Sequence, residues 1–261
     1  MKKKILLVSG CSNTDPKYTS LQHPDMDCDW PKWPELLAKS LDMECINLAE
    51  NGAGNEYIYS TLIDKLQTIE PSDIGLCIAA WSTANRRDYE SKGRWRGHIY
   101  SYNEPPFLLK KEYMTDLIDR SLRYFYSFQS VCHNLKIPYR QFAMMSLYQN
   151  YGWQELMRRR TENFPEDEIQ QIPIMNKRQI LTDNEKRWLN EFELECAYHI
   201  KKSPYYNIID QNFIGWPTSS LLNGYNMSYK VLLKDCIISE LDSHPNAKGH
   251  IQIAKHLHEL L

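Results

Sequence analysis

Apolar and polar positions along the first eighty residues fall into blocks that switch between two periods. Residues 5–8 are an unbroken apolar run closed by Ser9-Gly10, the pattern of a parallel strand buried on both faces. Trp33, Leu36, Leu37 and Leu41 recur at helical spacing, so 33–41 is predicted as a helix. Residues 43–48 read as a second strand. Ile58, Leu62, Ile63 and Leu66 line one face of a helix over 55–69, which Pro71-Ser72-Asp73 breaks. A third apolar strand follows at 74–80. The order β-α-β-α-β predicts a doubly wound α/β sheet.

The pattern is less regular beyond that point. Residues 84–110 are polar and aromatic, carry Pro105-Pro106, and read as a long loop. A helix is predicted over 111–135 from Leu117, Ile118, Leu122, Phe125, Phe128 and Cys132. Residues 137–147 resemble a fourth strand and 206–210 a fifth. Between them lies a helix at 182–202, with Thr182 or Asp183 as its N-cap. The chain ends in an amphipathic helix over 246–261. The connection from the third strand to that helix exceeds what two further β-α units need, which predicts an inserted, mostly helical segment within 86–235. The whole reads as one domain, 1–261.

Composition narrows the class. The chain has 261 residues, with Lys+Arg 31 against Asp+Glu 33 and a formal net charge of −2. That balance leaves no basic footprint for a nucleic-acid partner. A hydrophobic content of 42% with 25% charged residues excludes a disordered chain. No run approaches the ~18 apolar residues of a membrane helix, so no membrane partner is expected. The seven cysteines show no C-x-x-C pair and no zinc spacing, which predicts no metal and a reducing, cytoplasmic setting. Val8-Ser9-Gly10-Cys11 has the form of a lipoprotein cleavage box, but a signal peptide needs roughly 7–15 apolar residues before it; the box reads as a chance match.

Four clusters could carry chemistry. Ser12 follows the first strand, in Gly10-Cys11-Ser12-Asn13-Thr14, where ligands meet such sheets. Asn47 and Gly52-Ala53-Gly54-Asn55 follow the second strand, and a glycine N–H there is a usable oxyanion donor. Equally, the glycines could make the turn and Asn55 cap the helix. The G-x-G lacks the third glycine of a dinucleotide fingerprint. Trp81-Ser82-Thr83-Ala84-Asn85-Arg86-Arg87 follows the third strand; Thr83 or Asn85 could donate to an oxyanion, and Arg86 and Arg87 could hold an anionic group. Asp242-Ser243-His244-Pro245-Asn246 precedes the last helix, where the carboxylate could orient the imidazole as a base.

Taken in order, these clusters resemble the blocks of the SGNH hydrolase superfamily, the GDSL esterases and lipases. Gly10-Cys11-Ser12-Asn13-Thr14 looks like the nucleophile block, in a divergent Gly-Cys-Ser form. Asn47 with Gly52 looks like the second block, and Asp242-x-His244-Pro245 with Gly249 like the last. The matching blocks cover the first ~85 and last ~20 residues. Two departures stand out: Thr83, rather than Asn85, falls at the usual Asn position of the third block, and the last block has one spacer residue fewer than usual.

The resemblance implies a flavodoxin-like three-layer α/β/α fold with a five-stranded parallel sheet. It implies a serine hydrolase acting on a carboxylic ester, such as an O-acetyl group on a carbohydrate. Ser12 would be the nucleophile, His244 the base and Asp242 its orienting acid. The oxyanion hole would draw on Ser12, Gly52, and Asn85 or Thr83. Asn55, Trp81, Arg86 and Arg87 are candidate substrate contacts, and no cofactor is implied. The rival expectation is a weak or inactive protein of the same fold that binds a glycan or acyl ligand. Trp95, Tyr100, Tyr102, Phe107, Trp153 and Trp216 could stack on sugars or simply pack the insert.

Overall fold

The computed structural model describes residues 2–91, 94–98, 114–148, 151–152, 155–156 and 181–261. Its centre is a five-stranded, all-parallel sheet. The strands in chain order are β1 (Ile5–Ser9), β2 (Glu44–Asn47), β3 (Ile74–Trp81), β6 (Tyr139–Ala143) and β7 (Phe213–Ile214). They lie in the spatial order β2-β1-β3-β6-β7. A separate antiparallel pair, β4 (Arg87–Ser91) and β5 (Arg94–His98), follows β3. The helices are α1 (Trp33–Ser40), α2 (Asn55–Leu66), α3 (Met114–Leu135), α4 (Asp183–Lys202), α5 (Met227–Val231) and α6 (Ala247–Glu259).

Two apolar layers follow from the period-two alternation of the strands. On one face Ile5, Leu7, Cys77, Ala79 and Trp81 meet Ile58 and Leu62 of α2 and Ile118, Phe125 and Phe128 of α3. On the other, Leu6, Val8, Leu76, Ile78 and Ala80 meet Trp33 and Leu37 of α1 and Ile253 and Leu257 of α6. Strands that bury both faces need apolar side chains at every position, which is why 5–8 and 74–80 read as continuous runs. The expected flavodoxin-like three-layer α/β/α arrangement is therefore present.

Helix ends follow local chemistry. Thr182 caps α4 through a capping box: its Oγ1 accepts the Glu185 N–H while Glu185 Oε2 accepts the Thr182 N–H. Asn246 caps α6, accepting the Gly249 N–H at 3.0 Å. A side chain at Gly249 would run into the Cys236 carbonyl oxygen, so the tight start of α6 requires glycine.

Several expectations are corrected. Part of the predicted loop 84–110 is the β4–β5 hairpin. Its strands carry charged residues without apolar alternation, and it is docked by Asp88 on α2 and by Trp95 edge-on to Tyr57, ring centroids 5.9 Å apart. The predicted helix at 111–135 is described from Met114. The fifth strand is not 206–210, which forms hydrogen-bonded turns from Tyr205 to Ile208 and Ile209; it is the two residues Phe213–Ile214, paired with Gln141 and Phe142. The second and fourth strands are shorter than predicted, Glu44–Asn47 and Tyr139–Ala143. All seven cysteines are free thiols. Among the described residues no helix is long and apolar enough to cross a membrane, and no cluster of His, Cys, Asp and Glu could hold a metal ion.

Candidate active site

In this strand order the chain leaves β1 towards β2 on one side and returns past it to β3 on the other. The carboxyl ends of β1 and β3 are thus a topological switch point, where such sheets open a crevice. Ser12 stands three residues beyond β1. The turn is pinned by Thr14 and Asp15 N–H groups on the Cys11 carbonyl. Trp33 Nε1 donates to Thr14 Oγ1 and Asn47 Nδ2 donates to the Thr14 carbonyl at 2.8 Å, so α1 and β2 both hold the Ser12 loop.

His244 and Asp242 reach this loop from the other end of the chain. Residues 236–246 double back: Ile237 bridges Pro245, and the Ile238 N–H donates to the His244 carbonyl. The Ser12 Oγ–His244 Nε2 distance is 2.8 Å, and the His244 Nδ1–Asp242 Oδ1 distance is 2.6 Å. The same Asp242 Oδ1 accepts the His244 backbone N–H at 3.1 Å. The single spacer therefore closes a tight turn in which the carboxylate holds both the backbone and the ring of its partner.

Asp242 is buried, 3% exposed. Burial by itself pushes its carboxyl upward. Hydrogen bonds from the His244 ring, from Ser20 and from the His244 backbone outweigh that and hold it well below the usual carboxylate range. Its Oδ2 accepts the Tyr18 hydroxyl at 2.9 Å and the Ser20 hydroxyl. A carboxylate with this many donors stays ionised and can hold the Nδ1–H tautomer, which leaves the Nε2 lone pair facing Ser12. Behind the pair, buried His250 accepts the Trp33 N–H on Nδ1; burial, aided by the charges of Lys32 and His244, lowers its pKa to about 3.

Gly52 sits in the turn after β2 with φ of 84°, the left-handed region that favours glycine. The Asn51 N–H donates to Asp15 Oδ2 and the Glu50 N–H to the Gly10 carbonyl, so this turn is tied to the Ser12 loop. Asp88 accepts the Gly54 and Tyr57 N–H groups at 2.8 and 2.9 Å, capping α2 from the hairpin. Its carboxyl is raised, burial outweighing those bonds. Thr83 and Asn85 are buried in the loop beyond β3.

The other candidate substrate contacts are engaged in the scaffold. Asn55 accepts the Ser82 N–H and donates to Ser121 Oγ and the Ser82 carbonyl. Trp81 is the last residue of β3, fully buried against Phe125, with Nε1 on Gln141. Arg86 donates to the Ala53 carbonyl at 3.0 Å, bracing the Gly52 turn. Arg87 lies in β4. Trp216 donates to the Tyr206 carbonyl and packs on Phe213. Tyr100, Tyr102, Phe107 and Trp153 lie outside the described residues.

Tyr18, Ser20, Asp15 and Asp88 were not anticipated from the sequence. The first two contact Asp242 across more than 220 positions, and no local spacing signals such a contact.

A hydroxyl, an imidazole and a carboxylate in line at the switch point of a doubly wound sheet form an arrangement that can move a proton from an oxygen nucleophile to a ring nitrogen. No protein-family model matches the chain, and no curated protein matches it. Two solved structures are similar to it along nearly their whole length. One, from Desulfitobacterium hafniense DCB-2, is described as a lipolytic protein of the G-D-S-L family; it has a TM-score of 0.45 and 11% identity, covering 100% of both chains. The other is the psychrotrophic esterase EstA from Pseudoalteromonas sp., inhibited by monoethylphosphonate; it has a TM-score of 0.40 and 10% identity, covering 99% of this chain and 96% of that one.

Proposed function

We propose that the protein is a serine hydrolase of carboxylic esters. The observation that carries the reading is the pair of contacts at His244: 2.8 Å to Ser12 Oγ on one ring nitrogen and 2.6 Å to Asp242 on the other. Ser12 Oγ attacks the acyl carbon while His244 Nε2 takes its proton. The same ring then protonates the leaving alcohol. Water, deprotonated by His244, attacks the acyl-serine; the imidazolium returns that proton to Ser12 Oγ as the acyl–oxygen bond breaks and the acid leaves. Asp242, held ionised by its donors, keeps the ring oriented and balances the imidazolium.

The negative oxygen of the tetrahedral intermediate is met by the backbone N–H groups of Ser12 and Gly52, together with the side chain of Thr83 or Asn85. Each such donor is worth on the order of 10²–10³ in rate. The finer form of the proposal is an O-acetyl group on a carbohydrate. Trp95 and Trp216 lend it no support, because both pack within the protein.

The test is hydrolysis of p-nitrophenyl acetate by wild type and Ser12→Ala. The reading expects turnover that falls at least 10³-fold in the variant while folding is retained. Turnover equal in both proteins would reject Ser12 as the nucleophile, and turnover absent from both would reject the reading in favour of a binding protein on the same scaffold.

A further inference from the structure

We propose that Tyr18 is a positioning residue for the His244–Asp242 pair, an inference that rests on the hydrolase reading above. The Tyr18 ring stacks on the imidazole with centroids 4.2 Å apart and planes 29° apart. Its hydroxyl lies 2.9 Å from Asp242 Oδ2 and 2.8 Å from His244 Nδ1. Tyr18 is itself buried, 8% exposed.

The direction of these bonds follows from counting protons. His244 Nδ1 carries its proton towards Asp242 Oδ1, so it has no lone pair for the phenol. The phenol therefore donates to Asp242 Oδ2, and its own oxygen faces the Nδ1–H as a second, weaker acceptor. Burial, and then the hydrogen bond and charge of Asp242, push the Tyr18 hydroxyl upward, so it remains a donor throughout the working range. One residue thus holds the acid by its hydroxyl and the base by its ring face.

The need for such a clamp lies in the short spacer. Asp242 Oδ1 serves two donors of His244 at once, the ring and the backbone N–H. The ring could swing about its side-chain bonds and still keep the backbone contact. Tyr18 covers one face of the imidazole and limits that swing, so Nε2 stays aimed at Ser12.

The experiment uses the full chain, with Tyr18→Phe removing only the hydroxyl and Tyr18→Ala removing the ring as well. With p-nitrophenyl acetate, Tyr18→Phe is expected to lower kcat about tenfold and Tyr18→Ala about a hundredfold, with KM within about twofold in both. Proton NMR supplies a readout that needs no turnover. The Nδ1 proton between His244 and Asp242 is expected at low field in wild type, shifted in Tyr18→Phe, and lost to solvent exchange in Tyr18→Ala.

If wild type lacks Ser12-dependent turnover but the low-field proton responds to Tyr18 as stated, the hydrolase reading fails and the positioning role stands. An unchanged low-field proton in Tyr18→Phe overturns the proposal. So does an unchanged kcat in an active enzyme, or a loss confined to KM. Tyr18→Phe preserves the packed ring, so it decides the matter even if Tyr18→Ala does not fold.

Discussion

Asp15 Oδ2 accepts the backbone N–H of Asn51 at 2.9 Å, and this bond joins the loop that presents Ser12 to the turn that presents Gly52. The other oxygen of Asp15 accepts the Lys17 N–H at 2.8 Å. A buried carboxylate thereby sets the spacing between the proposed nucleophile and a proposed oxyanion donor. Small misplacements in such a site cost large factors in rate. Asp15→Ala is expected to lower kcat between about 10- and 100-fold with little change in KM, measured on a short acyl ester. Asp15→Asn, which keeps one carbonyl acceptor, should lose less.

The hairpin acts on the same turn through Asp88. Gly54, the N-cap of α2, has no side chain to cap the helix, and Asp88 supplies the missing acceptors. Asp88→Ala is expected to cost about 1 kcal/mol in urea unfolding, the usual worth of an N-cap. Hydrogen exchange at Gly54 and Tyr57 should rise in the same variant.

Gly52→Ala forces a side chain into a backbone with φ of 84°. The left-handed region costs an L-residue roughly 1–2 kcal/mol. The expected outcome is a stability loss of that order together with a fall in kcat, because relief of the strain turns the proposed oxyanion donor away. Urea titration and steady-state rates on one preparation check both parts.

His250 makes stability depend on pH. Its pKa lies at about 3 in the fold, lowered first by burial, against roughly 6.5 for an unfolded histidine. Between those values the unfolded chain binds the proton and the folded chain does not, so stability falls as pH falls from about 6.5 towards 3. The full loss is on the order of 5 kcal/mol. Urea unfolding from pH 7 to pH 4 should show the slope. His250→Asn should flatten it, even if the variant is less stable at pH 7.

Asp242 acts in a lower window. Its carboxyl is held below the ordinary range in the fold, so its contribution is complete above the unfolded value of about 3.9 and is lost only as pH falls below it.

Much of the scaffold was legible because buried parallel strands leave a strong signal. Ile5 to Val8 and Ile74 to Ala80 are apolar at nearly every position, as two covered faces require. Ser12, Gly52 and His244 stood out because they follow strand ends or precede a helix, where a turn dictates residue type. The β4–β5 hairpin was not legible: its strands, RDYES and RWRGH, lack apolar alternation. The fifth strand is hard to place from sequence because Ile208 and Ile209 imitate a strand, while the pairing itself involves only two residues. Tyr18 and Ser20 were invisible for a different reason. Their role depends on a contact between opposite ends of the chain, and a single sequence holds no record of which loop residues meet.

The proposed mechanism makes Ser12 a nucleophile activated by His244. A fluorophosphonate probe followed by intact-mass analysis and peptide mapping tests it most directly. One adduct is expected on Ser12 in wild type, none in Ser12→Ala, and labelling slowed at least a hundredfold in His244→Ala. A wild-type protein that stays unlabelled, or an adduct that persists in Ser12→Ala, would contradict it.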